Sequence, residues 1–254
     1  MITFGEVASA VFVRRDNRFR AVVAIEGRDV PVHVPNSGRL AELLLPGVRC
    51  LVAPARQPQS RRTGATLQLV EHPTGLVCIN AHMANALFED AWRRDALGEP
   101  FGAYRILRRE VFSGESRLDF LFSRPEGQLW VEIKCVTLVG DSSGGTDDGL
   151  ARFPDAPTTR GTRHVQELTN LASRGQRAAV VFVVQRSDAR SFTAHSAMDP
   201  PFAEALRSAA SAGVDIRCFG CIVSQEGMAI DRELPVIMRS EAPCLRRDGP
   251  AIAP

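Results

Sequence analysis

The chain has 254 residues, a formal charge of +2 and an apolar share of 44%, which suits one large or two small globular domains. It has no run of about 18 apolar residues to span a membrane, and its start, Met-Ile-Thr-Phe-Gly-Glu, is not a basic-then-apolar leader. A cytoplasmic protein with no membrane partner is therefore expected. The net charge hides an asymmetry: residues 1–80 hold ten arginines against six acidic groups (+4), and residues 81–254 hold 21 basic against 23 acidic groups (−2).

The first 80 residues show short apolar runs rather than long helical periodicity. The runs are 7–13, 20–26, 30–34, 48–53, 66–71 and 75–79, with turns such as Asp16-Asn17 and Pro46-Gly47 between them. One short amphipathic helix is expected at 37–45, capped by Asn36 or Ser37. Several short strands with one helix read as a small barrel; OB-type and SH3-like barrels would share this pattern. Its arginines, among them Arg14, Arg15, Arg18, Arg20, Arg28, Arg39, Arg56, Arg61 and Arg62, greatly outnumber Phe4, Phe12 and Phe19. That balance favours contacts to phosphates over stacked bases, and so little sequence preference. His33, Asn36 and Arg39 gather at the expected helix start, where backbone N–H groups can also hold an anion.

From residue 81 the pattern changes to alternating helices and strands. A helix is expected at 82–94, strands at 105–112, 116–122 and 129–138, a helix at 162–173, a strand at 178–185, a helix at 200–212 and a strand at 214–224. A mixed sheet in an α/β or α+β arrangement follows. Residues 141–149 read as an acidic surface insertion, Phe153-Pro154-Asp155-Ala156-Pro157 as a stiff turn, and 241–254 as a tail. Arg160, Arg163, His164 and Glu167 open the following helix, where the arginines are candidates to hold a phosphate. The six cysteines are read as mostly reduced core thiols. Cys218-Phe-Gly-Cys221, on an expected strand and without a second pair at zinc spacing, is a weak candidate for metal or redox chemistry.

Thirty of the 31 basic residues are arginine; the single lysine is Lys134. An ammonium is a compact donor on a flexible stem and is not interchangeable with a guanidinium. Lys134 lies on the second strand of a hairpin turned by Pro125 and Gly127. If that turn is centred between Pro125 and Glu126, Asp119 stands opposite Glu132, and Lys134 shares their face. Leu118, Phe120, Val131 and Ile133 then point together into the core. Two opposed carboxylates repel unless a cation lies between them, and oxygen ligands suit magnesium or manganese. A structural Asp–Lys–Glu cluster on a solvated sheet face is the other reading.

Asp119, a hairpin and Glu132-Ile133-Lys134 resemble the metal-binding signature of the PD-(D/E)xK nuclease superfamily. The wider chain resembles the sugar fermentation stimulation protein A family, from near residue 3 to near residue 235. The likeness is carried by Val32-His33-Val34-Pro35-Asn36-Ser37-Gly38-Arg39-Leu40, Ser116-Arg117-Leu118-Asp119-Phe120, Glu132-Ile133-Lys134-Cys135-Val136-Thr137-Leu138, Phe153-Pro154-Asp155-Ala156-Pro157-Thr158 and Arg160 to Leu168. The resemblance implies a mixed α+β chain: an OB-like DNA-binding barrel at 1–80, a nuclease-like domain with a mixed sheet at 81–240, and a tail at 241–254. It also implies a DNA partner and a link to sugar (maltose) metabolism.

On this resemblance Asp119, Glu132 and Lys134 are the expected catalytic group. Asp119, Glu132 and Glu89 are the expected ligands of Mg or Mn, with Glu110 competing with Glu89 and Asn85 one turn away. Arg14, Arg18, Arg20, His33, Asn36, Arg39, Arg160, Arg163 and His164 are the expected DNA contacts. A non-catalytic DNA-binding regulator and a metal-dependent hydrolase of a small phosphorylated substrate are the alternatives.

Overall fold

The computed structural model describes residues 1–54, 63–140 and 149–238. Arg56, Arg61, Arg62, the acidic insertion up to residue 148, Cys244 and the tail at 241–254 lie outside the described residues.

The barrel is built from β2 (Ala8–Asn17), β3 (Arg20–Ile25), β4 (Arg28–His33), β5 (Arg49–Pro54) and β6 (Ala65–His72), with β7 (Gly75–Cys78) added at its edge. The strands run in the order β4-β3-β2-β5-β6-β7, and a parallel β4–β6 pairing closes five of them into an OB barrel. Inward residues such as Phe12, Val23, Val32, Cys50 and Leu67 form its core. The helix expected at 37–45 is absent. Leu40 sits at φ +52°, and the segment makes a single turn in which Leu43 and Leu44 N–H donate to the Leu40 carbonyl. The helix period in that segment had come from leucines that bury themselves in a loop: Leu40 and Leu43 are fully buried.

The second sheet combines β8 (Ile106–Ser113), β9 (Ser116–Arg124), β10 (Gly127–Val136), β13 (Arg177–Val184), β15 (Asp215–Val223) and β16 (Gly227–Glu233). Its seventh strand is β1 (Ile2–Thr3), which pairs with β16, so the first residues of the chain join this sheet rather than the barrel. Strands β10, β13 and β15 are parallel and the rest antiparallel. Helix α1 (Met83–Arg93) covers one face; α2 (Thr159–Ser173) and α3 (Pro200–Ser211) cover the other. The central strand β13 is buried on both faces, hence its unbroken apolar run: Ala179, Val181 and Val183 face α1, while Ala178, Val180, Phe182 and Val184 face α2 and α3. A small sheet of β11 (Leu138–Val139), β12 (Leu150–Phe153) and β14 (Ser191–Ala194) was not expected, being too short to show a period. Cys218 and Cys221 fall on opposite faces of the sheet, separated by a bulge at Gly220/Cys221, and burial raises both thiols. That arrangement supports neither a shared metal nor a local disulfide.

Barrel and sheet are sewn together at the end of β13. Cys78 N–H donates to the Gln185 carbonyl (3.0 Å), and the Gln185 amide donates to the carbonyls of Cys78 (2.8 Å) and Asn80 (3.0 Å). Arg186 is only 2% exposed. Its guanidinium binds Asp188 (2.6 and 2.7 Å) and the Thr137 carbonyl (2.9 Å), and Asp188 also accepts from the Thr74 hydroxyl of the barrel. Removing one partner of such a buried pair leaves an uncompensated charge. Arg186→Ala is therefore expected to lower unfolding stability by roughly 3–5 kcal/mol, read as a lower urea midpoint at unchanged slope. An unchanged midpoint would show that the cluster contributes nothing.

Candidate functional site

The β9–β10 hairpin has the expected register as far as it goes. Pairs run from Arg124–Gly127 to Phe120–Val131, and there the ladder ends. Asp119 does not pair with Glu132 through the backbone. Its carboxylate turns onto the next rung, where Oδ2 accepts the Ile133 N–H at 2.8 Å. On the other side of β9, the residue that would oppose Asp119 is Glu110, at φ +55° and missing from the ladder. Facing alternation breaks at this kink. Phe120 packs towards α1, but Leu118 packs towards α2, so Leu118, Phe120, Val131 and Ile133 do not share one face as expected.

Glu132 and Lys134, two residues apart, face α2. Glu132 Oε1 accepts from Lys134 Nζ (2.6 Å) and from Nδ1 of His164 on α2 (2.5 Å). Arg160 Nε lies 3.4 Å from His164 Nε2. A neutral His164 would thus carry its proton on Nδ1 and accept on Nε2, a tautomer inferred from these partners. Glu132 Oε2 is buried and has no hydrogen-bond partner. Asn85, from α1, donates to Asp119 Oδ1 at 2.8 Å.

These groups line a cleft of about 580 Å³ between barrel and sheet. Arg18, Asn36, Ser37 and Gly38 form the barrel wall; Asp155 and Arg160 form the opposite one. Asp155 ties the walls together: its Oδ2 accepts from Leu40 N–H at 3.2 Å. A Cβ on Gly38 would stand 2.3 Å from that oxygen, so only glycine leaves room for the contact. Arg15 stiffens the loop from within, its guanidinium donating to the carbonyls of Arg18 (2.7 Å), Asn36 (3.3 Å) and Arg39. At the start of α2, Thr158 Oγ1 caps Gly161 N–H (3.1 Å), and Asp199, the cap of α3, accepts from Thr158 N–H (2.7 Å). Those caps fix the helix that carries Arg160 and His164.

Of the expected residues, Asp119, Glu132, Lys134, Arg18, Asn36 and Arg160 meet in the cleft, with His164 directly behind. Glu89 does not join them. It is buried against Arg109 (2.5 and 2.7 Å) and Arg93 (2.7 Å), whose charges already saturate it. Glu110 is exposed and pairs with Arg117 at 2.8 Å. The α1 residue at the site is Asn85 instead. Arg14 and Arg20 are exposed and pair with Asp16, Arg39 and Arg163 are exposed outside the cleft, and Glu167 binds Ser113 (2.6 Å). His33 lines a neighbouring cavity. Asp155 was missed as a site residue; its signal was present in Phe153-Pro154-Asp155-Ala156-Pro157, but a proline-flanked acid looks like any turn.

The family model described as "Sugar fermentation stimulation protein RE domain" matches residues 82–227, and that described as "SfsA N-terminal OB domain" matches residues 13–79. A sugar fermentation stimulation protein homolog of Desulforamulus reducens is 38% identical over 92% of this chain and 94% of its own length. The homolog of Moorella thermoacetica is 43% identical over 84% and 88%. The solved structure of Pyrococcus furiosus SfsA in complex with Ca2+ superposes with a TM-score of 0.83 at 32% identity, covering 93% of this chain and 98% of that one.

Electrostatics separate the two carboxylates. Burial and the neighbouring Glu132 charge push Asp119 from the ordinary 3.8 up to about 6, against the Ile133 and Asn85 hydrogen bonds and the Lys134 charge. Burial also opposes ionisation of Glu132, but the charge of Lys134 and the hydrogen bond and charge of His164 outweigh it and hold the carboxyl below its usual range. Because Asp119 is raised in the folded state, its contribution to stability is complete below the ordinary value and is lost as pH rises through about 6. Glu132 runs the other way, contributing above the ordinary carboxylate value and losing that contribution as pH falls through its folded value. In metal-free buffer, Asp119→Asn should therefore be more stable than wild type at pH 8 by roughly 1–3 kcal/mol. The difference should vanish near pH 4. Thermal unfolding across that range checks it, and a pH-independent difference would refute it.

Proposed function

This chain belongs to the sugar fermentation stimulation protein family, and we propose that it binds DNA across the barrel–sheet cleft and hydrolyses phosphodiester bonds with a divalent cation, magnesium or manganese. The observation that carries this reading is the buried, unpartnered Glu132 Oε2 beside the Asp119 carboxylate. A buried polar atom without a partner costs free energy. A cation shared by Glu132 and Asp119 would satisfy it and relieve their repulsion. The donors are all oxygen, which suits hard divalent cations. Among the described residues no group of three or more His, Cys, Asp or Glu side chains forms a ready-made metal cage. Two carboxylates leave remaining positions for solvent and substrate, as in magnesium sites. The Pyrococcus furiosus relative was solved with calcium, another oxygen-seeking divalent ion. When bound, such an ion supplies Lewis acidity toward a phosphoryl oxygen.

The chain's own residues provide the rest. Lys134, held as an ammonium on Glu132 by a 2.6 Å bond, orients the attacking water or neutralises charge developing on the phosphorus centre. His164 holds Glu132 in place from behind. Arg18 on one wall and Arg160 on the other are set to grip phosphates on either side of the reacting bond. The family name ties the protein to sugar metabolism; control of gene expression through DNA is one route.

A non-catalytic DNA-binding role is the second reading. It is favoured by the closed Lys134–Glu132–His164 cluster, in which both donors are already engaged. Cleavage and binding measured together on single- and double-stranded DNA, with manganese or EDTA, separate the two. Wild type is expected to cut with manganese and not in EDTA. Lys134→Ala should lose at least about a hundredfold in rate while still binding DNA. Independently of activity, manganese or calcium should raise the melting temperature of wild type but not of Asp119→Ala. Undiminished cutting by Lys134→Ala and Asp119→Ala would sink the catalytic assignment. Salt-sensitive binding without cutting would establish the second reading.

A further inference from the structure

Beside the cleft lies a second cavity of about 570 Å³, and the two differ in charge. The cleft is lined by charged groups of both signs. Among the described residues the second cavity is lined by no Arg, Lys, Asp or Glu; its polar groups include Gln68, Asn80, His33 and His82, set among apolar side chains such as Phe4 and Met83. Its volume falls within the ordinary range of small-molecule sites.

A thin partition separates the two. Asn36 and Ala81 face the cleft, while Pro35, Asn80 and His82 face the cavity. The two strips are locked by hydrogen bonds from Ala81 N–H to the Pro35 carbonyl (3.0 Å) and from the Asn36 amide to the Ile79 carbonyl (3.0 Å). Phe19, which lines neither cavity itself, stacks its ring on the cavity residue His33 with centroids 6.5 Å apart and planes 26° apart, yet remains 51% exposed. Arg18, its neighbour in sequence, lines the cleft, while His33 lines the cavity. Inside, Gln68 is 5% exposed, and its Nε2 makes only a 3.7 Å contact to the Cys78 thiol, a weak acceptor. A buried amide donor with so poor a partner can gain from a better acceptor.

A pocket whose described lining is uncharged and partly apolar, with amide and imidazole groups and an exposed aromatic ring stacked on one of its histidines, one residue from an arginine of the charged cleft, matches a nucleotide divided into base and phosphate. We infer that the second cavity takes the base of an unpaired nucleotide whose phosphate lies in the charged cleft. This rests on the proposed DNA-cleaving role and names its substrate class: single-stranded DNA, or a nucleotide flipped out of a duplex, because a stacked and paired base cannot leave the helix without cost. Phe19 supplies a stacking face and Gln68 Nε2 a donor for the base edge, while the Asn80 amide holds Gln68 in place, donating to its Oε1 (3.0 Å) and accepting from His82 N–H (3.2 Å).

The test compares a short oligodeoxythymidylate with an abasic strand of equal length, measured by fluorescence anisotropy in EDTA so that neither is cut. The two have the same backbone charge and differ only in their bases. Wild type should bind the base-bearing strand about tenfold more tightly, the scale of one stacked base, and should bind an intact duplex no better than the abasic strand. Phe19→Ala should erase most of that preference and Phe19→Trp should retain it. His82→Ala, also a surface change, should reduce it, with thermal unfolding verifying that each variant is folded. Equal, salt-sensitive affinity of wild type for both strands would overturn the base pocket and leave the phosphate cleft standing. Binding to neither strand would overturn both readings.

Discussion

A carboxylate occupies a place in this molecule where sheet geometry calls for a backbone carbonyl. Asp119 accepts the Ile133 N–H that a continuing β9–β10 ladder would have used, and the strands part at that point. Neighbouring side chains then change faces, so Leu118 packs under α2 while Phe120 packs under α1. The parted strands leave a gap at the sheet surface into which Glu132, Lys134 and the Asn85 amide converge. A regular hairpin would have carried the same residues on a flat sheet face with no cleft behind them. The irregularity costs one backbone rung, and the Asp119 side chain makes good the hydrogen bond.

The second requirement is that the barrel stand still against the sheet. Its wall of the cleft is a loop without regular secondary structure, which would shift freely if attached only to itself. Arg15 pins the loop's carbonyls from inside, and Asp155 pins the Leu40 N–H from across the cleft through the space left by Gly38. Gln185 and Arg186 perform the equivalent service at the far end of the interface, where β7 meets β13. Both ends are polar, so the barrel's position is specified by directional bonds and not by apolar packing alone.

Much of this was legible from residue order. The barrel strands could be read because each has a buried face and a turn on either side. The three helices of the second unit and the strand at 177–184 could be read because their apolar periods are long. That Asp119, Glu132 and Lys134 come together was legible from hairpin spacing and from the isolation of one lysine among arginines. The failures have physical causes. Leucines at 40 and 43 mimic a helix period but are drawn inward by the barrel, and Leu40 needs a left-handed backbone that ends any helix. Glu89 looked available because a sequence does not show that Arg93 and Arg109 will reach it, the latter from a strand twenty residues on. Asp155 gains its meaning only from a contact 115 residues away in the chain.

The lone lysine has a spectroscopic corollary. Lys134 is the chain's single ε-amine, and it is seated on Glu132 with 11% of its side chain exposed. Supplying isotope-labelled lysine during expression would therefore light up one side-chain ammonium in the whole spectrum, located in the site itself. Its resonance would register directly any change at the Lys134–Glu132 contact.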